Sequence, residues 1–323
     1  MKRLLAYVAT GSLLFASCTE QNLFEEKITQ SSASGERSCV SMELLESKFQ
    51  TDTGLKERYE SIETHTRSMD GARLNSLGQI VIPVVVNVLY VEDRPFENPD
   101  LDRIQSQIDV LNEDFNATNP DVVNTPSLFA PLVADLDIQF VLEGVNRRQS
   151  NKVWWPIDAM KSSKKGGIDP TDPTEKLNIW LVPGIRDGRA YPDGYAQFPG
   201  GDPKTDGVVL RTHRFGRVGG STGITGREVT HNVGHWMNIH DIWGLKVRTC
   251  GDDFVADTPQ HNTCNIGCPA FPEYSTCPGT PIEMTMNYMD LTDDACRFMF
   301  TAGQKARARA VFAPGGPRAS FAD

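Results

Sequence analysis

The chain has no surplus of positive charge. Its 323 residues carry 32 Lys+Arg against 42 Asp+Glu, a formal net charge of −10, and without a basic face a general nucleic-acid binder is excluded. Past Ala16 there is no apolar run near the ~18 residues that a membrane-spanning helix needs, so the rest reads as soluble. Internal repeats are missing too, which removes solenoids and propellers. What is present suffices for a core: 39% hydrophobic residues with 8% aromatics exclude wholesale disorder. At about 150 residues per domain the length suggests one large or two small domains. The acidic balance favours a cationic over an anionic substrate.

The first residues do not belong to the fold. Met1-Lys2-Arg3 is basic and Leu4–Ala16 is largely apolar, too short for a stable bilayer anchor and suited to an export signal over residues 1–17. Leu14-Phe15-Ala16-Ser17-Cys18 resembles a bacterial lipoprotein cleavage box, where Cys18 would become the acylated first residue; ordinary secretion is the alternative. The expected location is therefore the outer membrane or the exterior, with membrane contact only through a lipid anchor. Export makes disulfides plausible, and five of the seven cysteines, Cys250, Cys264, Cys268, Cys277 and Cys296, crowd the last quarter. Five is odd, so at least one stays unpaired, and connectivity is open.

Residues 18–77 divide into a polar, Ser-rich tether, Thr19 to about Gly35, and a stretch from Met42 to Glu60 whose Leu44, Leu45, Phe49, Leu55 and Tyr59 fit two short helices. Ser68–Gly78 is polar and reads as a boundary; Arg67 and Arg73 are reasonable sites for proteolytic trimming. Ile80–Tyr90 is β-branched and nearly continuous, as in a buried strand. Asp100–Phe115 places Leu101, Ile104, Ile108, Leu111 and Phe115 at helical spacing. Further strands are predicted at Asp137–Leu142, Leu177–Val182 and Gly207–Leu210. The pattern predicts an α+β chain, with an α/β-type upper half and an irregular, cysteine-rich lower half. Lys161, Lys164 and Lys165 beside Gly166-Gly167 read as a solvated loop.

The chemistry concentrates in one stretch. His231 and His235 stand four apart, so on a helix both imidazoles project from one face, the spacing zinc needs from two helical ligands. Asn238 can adopt the left-handed conformation that ends a helix, which would bring a residue near 240 or 241 back to the same ion.

From Gly226-Arg227 onward, the sequence resembles the pappalysin family of metzincin zinc peptidases. The resemblance is carried by Thr230-His231, Val233-Gly234-His235-Trp236, Ile242-Trp243-Gly244, Asp257-Thr258-Pro259, Gly267-Cys268-Pro269, Met286-Asn287-Tyr288-Met289-Asp290, Asp293-Asp294-Ala295-Cys296 and Phe300-Thr301-Ala302-Gly303-Gln304. Upstream, Ile82–Val86, Gln107–Phe115, Leu177–Trp180 and Gly194–Gly200 look like the same family. The match spans roughly residues 78–320 and makes 78–323 the expected peptidase domain.

The resemblance implies a twisted mixed sheet with a backing helix and a zinc-site helix above a cleft, and below it an irregular subdomain with a methionine turn, Met289 flooring the metal. It implies disulfides Cys250–Cys277 and Cys268–Cys296, each worth roughly 3–4 kcal/mol in the chain-entropy view, and leaves Cys264 over. Asp253, Asp257 and Thr258 fall in the family's calcium loop, whose hard oxygens suit that ion. Arg37-Ser38-Cys39 resembles the pro-segment of secreted bacterial members, in which a cysteine thiolate fills the open zinc position and keeps the enzyme latent. Asp294 matches the position at the base of the pocket after the scissile bond, where aspartate favours Arg or Lys; protein or peptide substrates with basic residues are the expected partners.

Three departures bear on activity. Active members have glutamate directly after the first histidine, to take a proton from the attacking water and pass it to the leaving amine; here it is Asn232, and an amide cannot accept that proton. The third ligand, a histidine in the family, falls on Asp241, which a metal can also use; neighbouring His240 would point about 100° away and reads as an exposed polar residue. The family's oxyanion-binding tyrosine falls on Leu291, which donates nothing. Glu228, one turn before Asn232, points further from the metal. The expectation is a zinc endopeptidase with impaired catalysis or, from a different class, a pseudopeptidase that binds basic peptides without cutting them.

Overall fold

The computed structural model describes residues 39–322 except 70, 189 and 219–222. The export signal, Cys18 and the tether lie outside the described residues. Among those described, no helix is long and apolar enough to cross a membrane.

The β-branched run becomes strand β1, Ile80–Tyr90, and the periodic segment after it becomes a helix, Leu101–Phe115, started by the Asp100 carboxylate accepting from Arg103 N. That helix crosses over to β2, Ile138–Gln149, which lies parallel to β1. Ile104, Ile108, Leu111 and Phe115 pack under the sheet against Phe140 and Phe300. β2 runs well past the expected Leu142. After a bulge at Glu143 its continuation, Gly144–Gln149, pairs with Val85–Tyr90 of β1, so backbone demand from β1 holds residues such as Asn146-Arg147-Arg148, which have no apolar signature.

β3, Trp155–Pro156, and β5, Ile185–Arg186, form a separate two-stranded pair. The main sheet is completed by β4, Leu177–Val182, β6, Gly194–Ala196, and β7, Val208–Arg211, in the order β2-β1-β4-β7-β6. All neighbours are parallel except β6, an antiparallel edge strand too short to show a periodicity in sequence.

In chain order the helices are α1, Ser41–Thr51; α2, Thr53–Ser68; α3, Gly71–Asn75; α4, Leu101–Phe115; α5, Arg227–Trp236; and α6, Ala302–Ala310. Every residue of α5 is buried. Its Gly234 is required by close approach: a Cβ there would stand 2.6 Å from Met289 Sδ. Below α5 the chain is irregular and tied by the two disulfides Cys250–Cys277 and Cys268–Cys296, as the resemblance implied; Cys264 is outside both.

The polar stretch Ser68–Gly78 is folded: α2 reaches Ser68, α3 follows, Leu74 is buried, and the Arg309 guanidinium donates to the carbonyls of Leu74 and Gly78 at 3.1 and 2.6 Å. One expectation is corrected: Lys161 is not solvated. Its ammonium is buried against Asp158 at 2.9 Å and Thr205 O at 2.6 Å, over the Tyr195 ring. Those partners lie on separate elements, and a charge cluster in sequence does not announce them.

Gly234→Ala is expected to lower stability by about 1–3 kcal/mol through overpacking against Met289. Denaturant titration checks this, and an unchanged midpoint would show that the floor can move aside.

Candidate metal centre

Helical spacing puts His231 and His235 one turn apart on α5, and both are fully buried. Each ring is held from behind. His231 Nδ1 is 2.9 Å from Tyr288 O, and His235 Nδ1 is 2.9 Å from Ile239 O. A carbonyl only accepts, so both Nδ1 atoms donate, and in the neutral rings both Nε2 atoms carry bare lone pairs. Those two Nε2 atoms face each other at 3.0 Å.

Past α5, Met237 ends the helix and Asn238 takes φ +68°. The reversal brings Asp241 Oδ1 to 3.5 Å from His231 Nε2 and 3.4 Å from His235 Nε2, and this buried oxygen has no hydrogen-bond partner. Cys39 Sγ approaches from the other side: it forms with the two imidazoles a group whose ligand atoms all lie within 4.8 Å of one another. Four donors at zinc distances in a tetrahedron stand about 3.3–3.8 Å apart, so this crowding fits a metal ion. Burial pushes the Cys39 thiol and the Asp241 carboxyl up, against their anionic forms. Burial also opposes a charged His235, while Asp241 and Cys39 pull it toward protonation. The cavity therefore calls for a cation, a proton or a metal ion, between its donors.

The N-terminal segment, expected to be a pro-segment, enters as a strap. Cys39 makes a parallel β-bridge to Gly194 on the edge strand β6. Two residues on, Ser41 Oγ accepts from Ala196 N at 2.9 Å and donates to Asn232 Oδ1 at 3.4 Å. Asn232 Oδ1 also lies 3.6 Å from Cys39 Sγ, and its Nδ2 donates to Glu228 O at 2.8 Å. Leu291 packs in an apolar cluster with Cys39, Ile242 and Trp243.

His240 departs from expectation. It points away from the metal group but is fully buried, its Nε2 2.9 Å from Tyr59 OH and 3.4 Å from Arg307. The pro-segment helix α2 covers it, a neighbour that local sequence cannot reveal. Glu228 is turned to Arg297, with Oε2 3.4 Å from the guanidinium. Asp294 is buried as well; its Oδ2 accepts from the N–H groups of Thr225, Gly226 and Arg227, and Oδ1 lies 3.3 Å from Arg297. It thus caps α5, where the helix dipole favours negative charge. In the loop assigned to calcium, Thr258 Oγ1 donates to both Asp253 oxygens, whereas Asp257 accepts from Thr301 Oγ1 and Gly303 N at the start of α6.

Residues that sequence reasoning did not single out hold α5 in place. Asp114 accepts from Thr230 at 2.7 Å and Tyr288 at 2.6 Å. Arg318 binds Asp206 with two nitrogens, at 2.7 and 2.9 Å, and donates to Trp236 O at the helix end. Such pairs join distant segments and leave no local signal.

The family model Peptidase_M43, described as pregnancy-associated plasma protein-A, matches residues 162–313. An extracellular metalloprotease of Arthroderma benhamiae is 28% identical over 255 residues, 74% of this chain and 76% of its own. Among solved structures, Tannerella forsythia mature mirolysin in complex with a cleaved peptide is 40% identical with a TM-score of 0.71, covering 76% of this chain and 96% of that one. A Tannerella forsythia promirolysin mutant is 37% identical with a TM-score of 0.77, covering 88% of this chain and 97% of that one. The pro form matches the larger share of this chain.

Cys39 is expected to resist alkylation in the zinc-loaded full chain and to react after chelation, with Cys264 as internal control. Mass spectrometry of the labelled cysteines reads this directly. Equal labelling of Cys39 in both states would remove it from the metal group.

Proposed function

The chain belongs to the pappalysin family of metzincin metallopeptidases, and from that premise we propose that it is an exported, zymogen-type zinc endopeptidase with a crippled catalytic step. His231, His235 and Asp241 hold the ion, and Cys39 closes the remaining position while the pro-segment is in place. The carrying observation is the pair of inward-facing Nε2 atoms 3.0 Å apart beside the unpartnered Asp241 oxygen. Zinc, when bound, polarises the scissile carbonyl and activates water.

The remaining chemistry falls to the protein. A thiolate is a soft, charged donor that suits zinc, and Cys39 reaches the group with its backbone bridged to β6, which keeps a substrate strand off that edge. Asn232 stands where a proton must be taken up, and an amide has no basic lone pair to offer. Leu291 presents methyl groups where a developing oxyanion needs a donor. At the base of the expected pocket, Asp294 and Glu228 share one guanidinium, Arg297.

Asn232 also favours a second reading, a pseudopeptidase that binds basic peptides and does not cut them. The test is hydrolysis of an Arg/Lys-containing protein by zinc-loaded residues 78–323. Asn232→Glu is expected to raise the rate by about 10²–10⁴. Adding Leu291→Tyr brings up to about 10²–10³ more, less than multiplicatively, because the groups act as one unit. Cleavage by the unaltered chain as fast as by the variants would overturn the impairment. No cleavage by the parent or by either variant, in folded zinc-loaded samples, favours the binding protein.

Calcium at Asp253 and Thr258 belongs to the same reading. Burial pushes the Asp253 carboxyl up to about 7, so without a cation the folded chain keeps a proton that the unfolded chain loses near pH 4. Stability then falls as pH rises from about 4 to about 7, and a bound cation would offset that loss. Calcium should therefore raise the melting temperature more at about pH 8 than at about pH 5.5, and an equal or absent shift would remove the ion.

A further inference from the structure

The turn that delivers Asp241 is gripped from outside the peptidase domain. Glu63 on α2 is only 4% exposed. Its Oε1 accepts from Asn238 Nδ2 at 2.9 Å and from Arg307 Nη2 at 2.6 Å, and its Oε2 accepts from Arg307 Nη1 at 3.1 Å. Arg307 Nε in turn donates to Asn238 O at 3.0 Å. Both ends of the Asn238 residue are thus tied to one buried ion pair, at the residue whose left-handed backbone reverses the chain between His235 and Asp241. One helical turn before Glu63, Tyr59 reaches His240, the neighbour of Asp241.

We propose that Glu63 is a positioning residue for the metal centre: α2, docked through it, fixes the Asn238 turn and so sets Asp241 against the two imidazoles. The inference rests on the reading of this centre as a metal site. It is independent of Cys39, which acts by direct approach from the other end of the pro-segment. A charged pair buried this deeply is costly to break, because removing one partner strands the other. Groups that orient a metal ligand from behind characteristically change metal affinity by about 10–100-fold. Coupling of this kind is reciprocal, so an ion in the centre also holds α2 down. Processing C-terminal to Glu63 would then loosen the third ligand as well as free the fourth position.

The experiment uses the full chain with zinc alone, in competition with a chromophoric chelator, and cobalt(II) as a spectroscopic substitute. Glu63→Ala should weaken zinc by about 10–100-fold. Its cobalt ligand-field bands should shift while the sulfur-to-cobalt charge-transfer band from Cys39 persists. Glu63→Gln, which keeps an acceptor for Asn238, should recover most of the affinity. In the unaltered chain, zinc should slow hydrogen exchange across Thr53–Ser68. If stranding Arg307 prevents Glu63→Ala from folding, Glu63→Ala with Arg307→Met removes both charges and carries the same expectation. A folded variant with zinc affinity within about twofold of the parent and an unchanged cobalt spectrum overturns the proposal. A parent chain that takes up neither ion overturns the metal reading and this inference with it.

Discussion

Two imidazole nitrogens held 3.0 Å apart in a fully buried position are the constraint on which the arrangement around α5 depends. Their tautomers are set from behind by the Tyr288 and Ile239 carbonyls, so while both rings are neutral neither can donate to the other. Such a contact survives only if the helix bearing it is immobilised and a cation is available. The immobilisation is visible on every side of α5. Asp294 holds its first turn, Asp114 binds Thr230 at its middle, Met289 sits against Gly234, and Arg318 takes the Trp236 carbonyl at its end. Buried polar groups joined in this way are worth more together than singly.

The same centre separates two questions that are easily merged. Latency concerns access. Cys39 and Ser41 lie along β6 and against Asn232, so the strap covers the groups that would meet a substrate. Competence concerns proton transfer and charge stabilisation, which Asn232 and Leu291 cannot perform with or without the strap. On the proposed reading, removing the N-terminal segment opens the centre without supplying a base at Asn232.

Much of the frame was legible. The continuous β-branched run at Ile80–Tyr90 announces a strand buried on both faces, and the apolar stripe of Asp100–Phe115 a helix with one face in the core. The two disulfides followed from resemblance rather than from spacing. Legibility failed wherever a polar residue is buried by a remote partner. Lys161 looked solvated because its neighbours in sequence are lysines and glycines, and it is buried because Asp158 and Thr205 O meet its ammonium. His240 looked exposed, since a helix covering it is supplied from residues far upstream. The polar second half of β2 carried no alternation, because an edge strand is recruited by its neighbour's backbone and not by its own side chains.

The sequence by itself determined the chemistry on offer: two histidines one helical turn apart, an aspartate and a cysteine as further donors, an amide in place of the base, and a leucine in place of the oxyanion donor. The histidine pair is a matter of local spacing, which helix periodicity carries unaided; the other roles are what the family resemblance assigns to those positions. The tertiary structure alone decided that His240 is buried under α2, that Cys39 reaches the group through a bridge to β6, and that Glu63 grips the Asn238 turn. Each of these depends on segments brought together across the chain by burial of apolar surface, and no rule of local spacing contains that information.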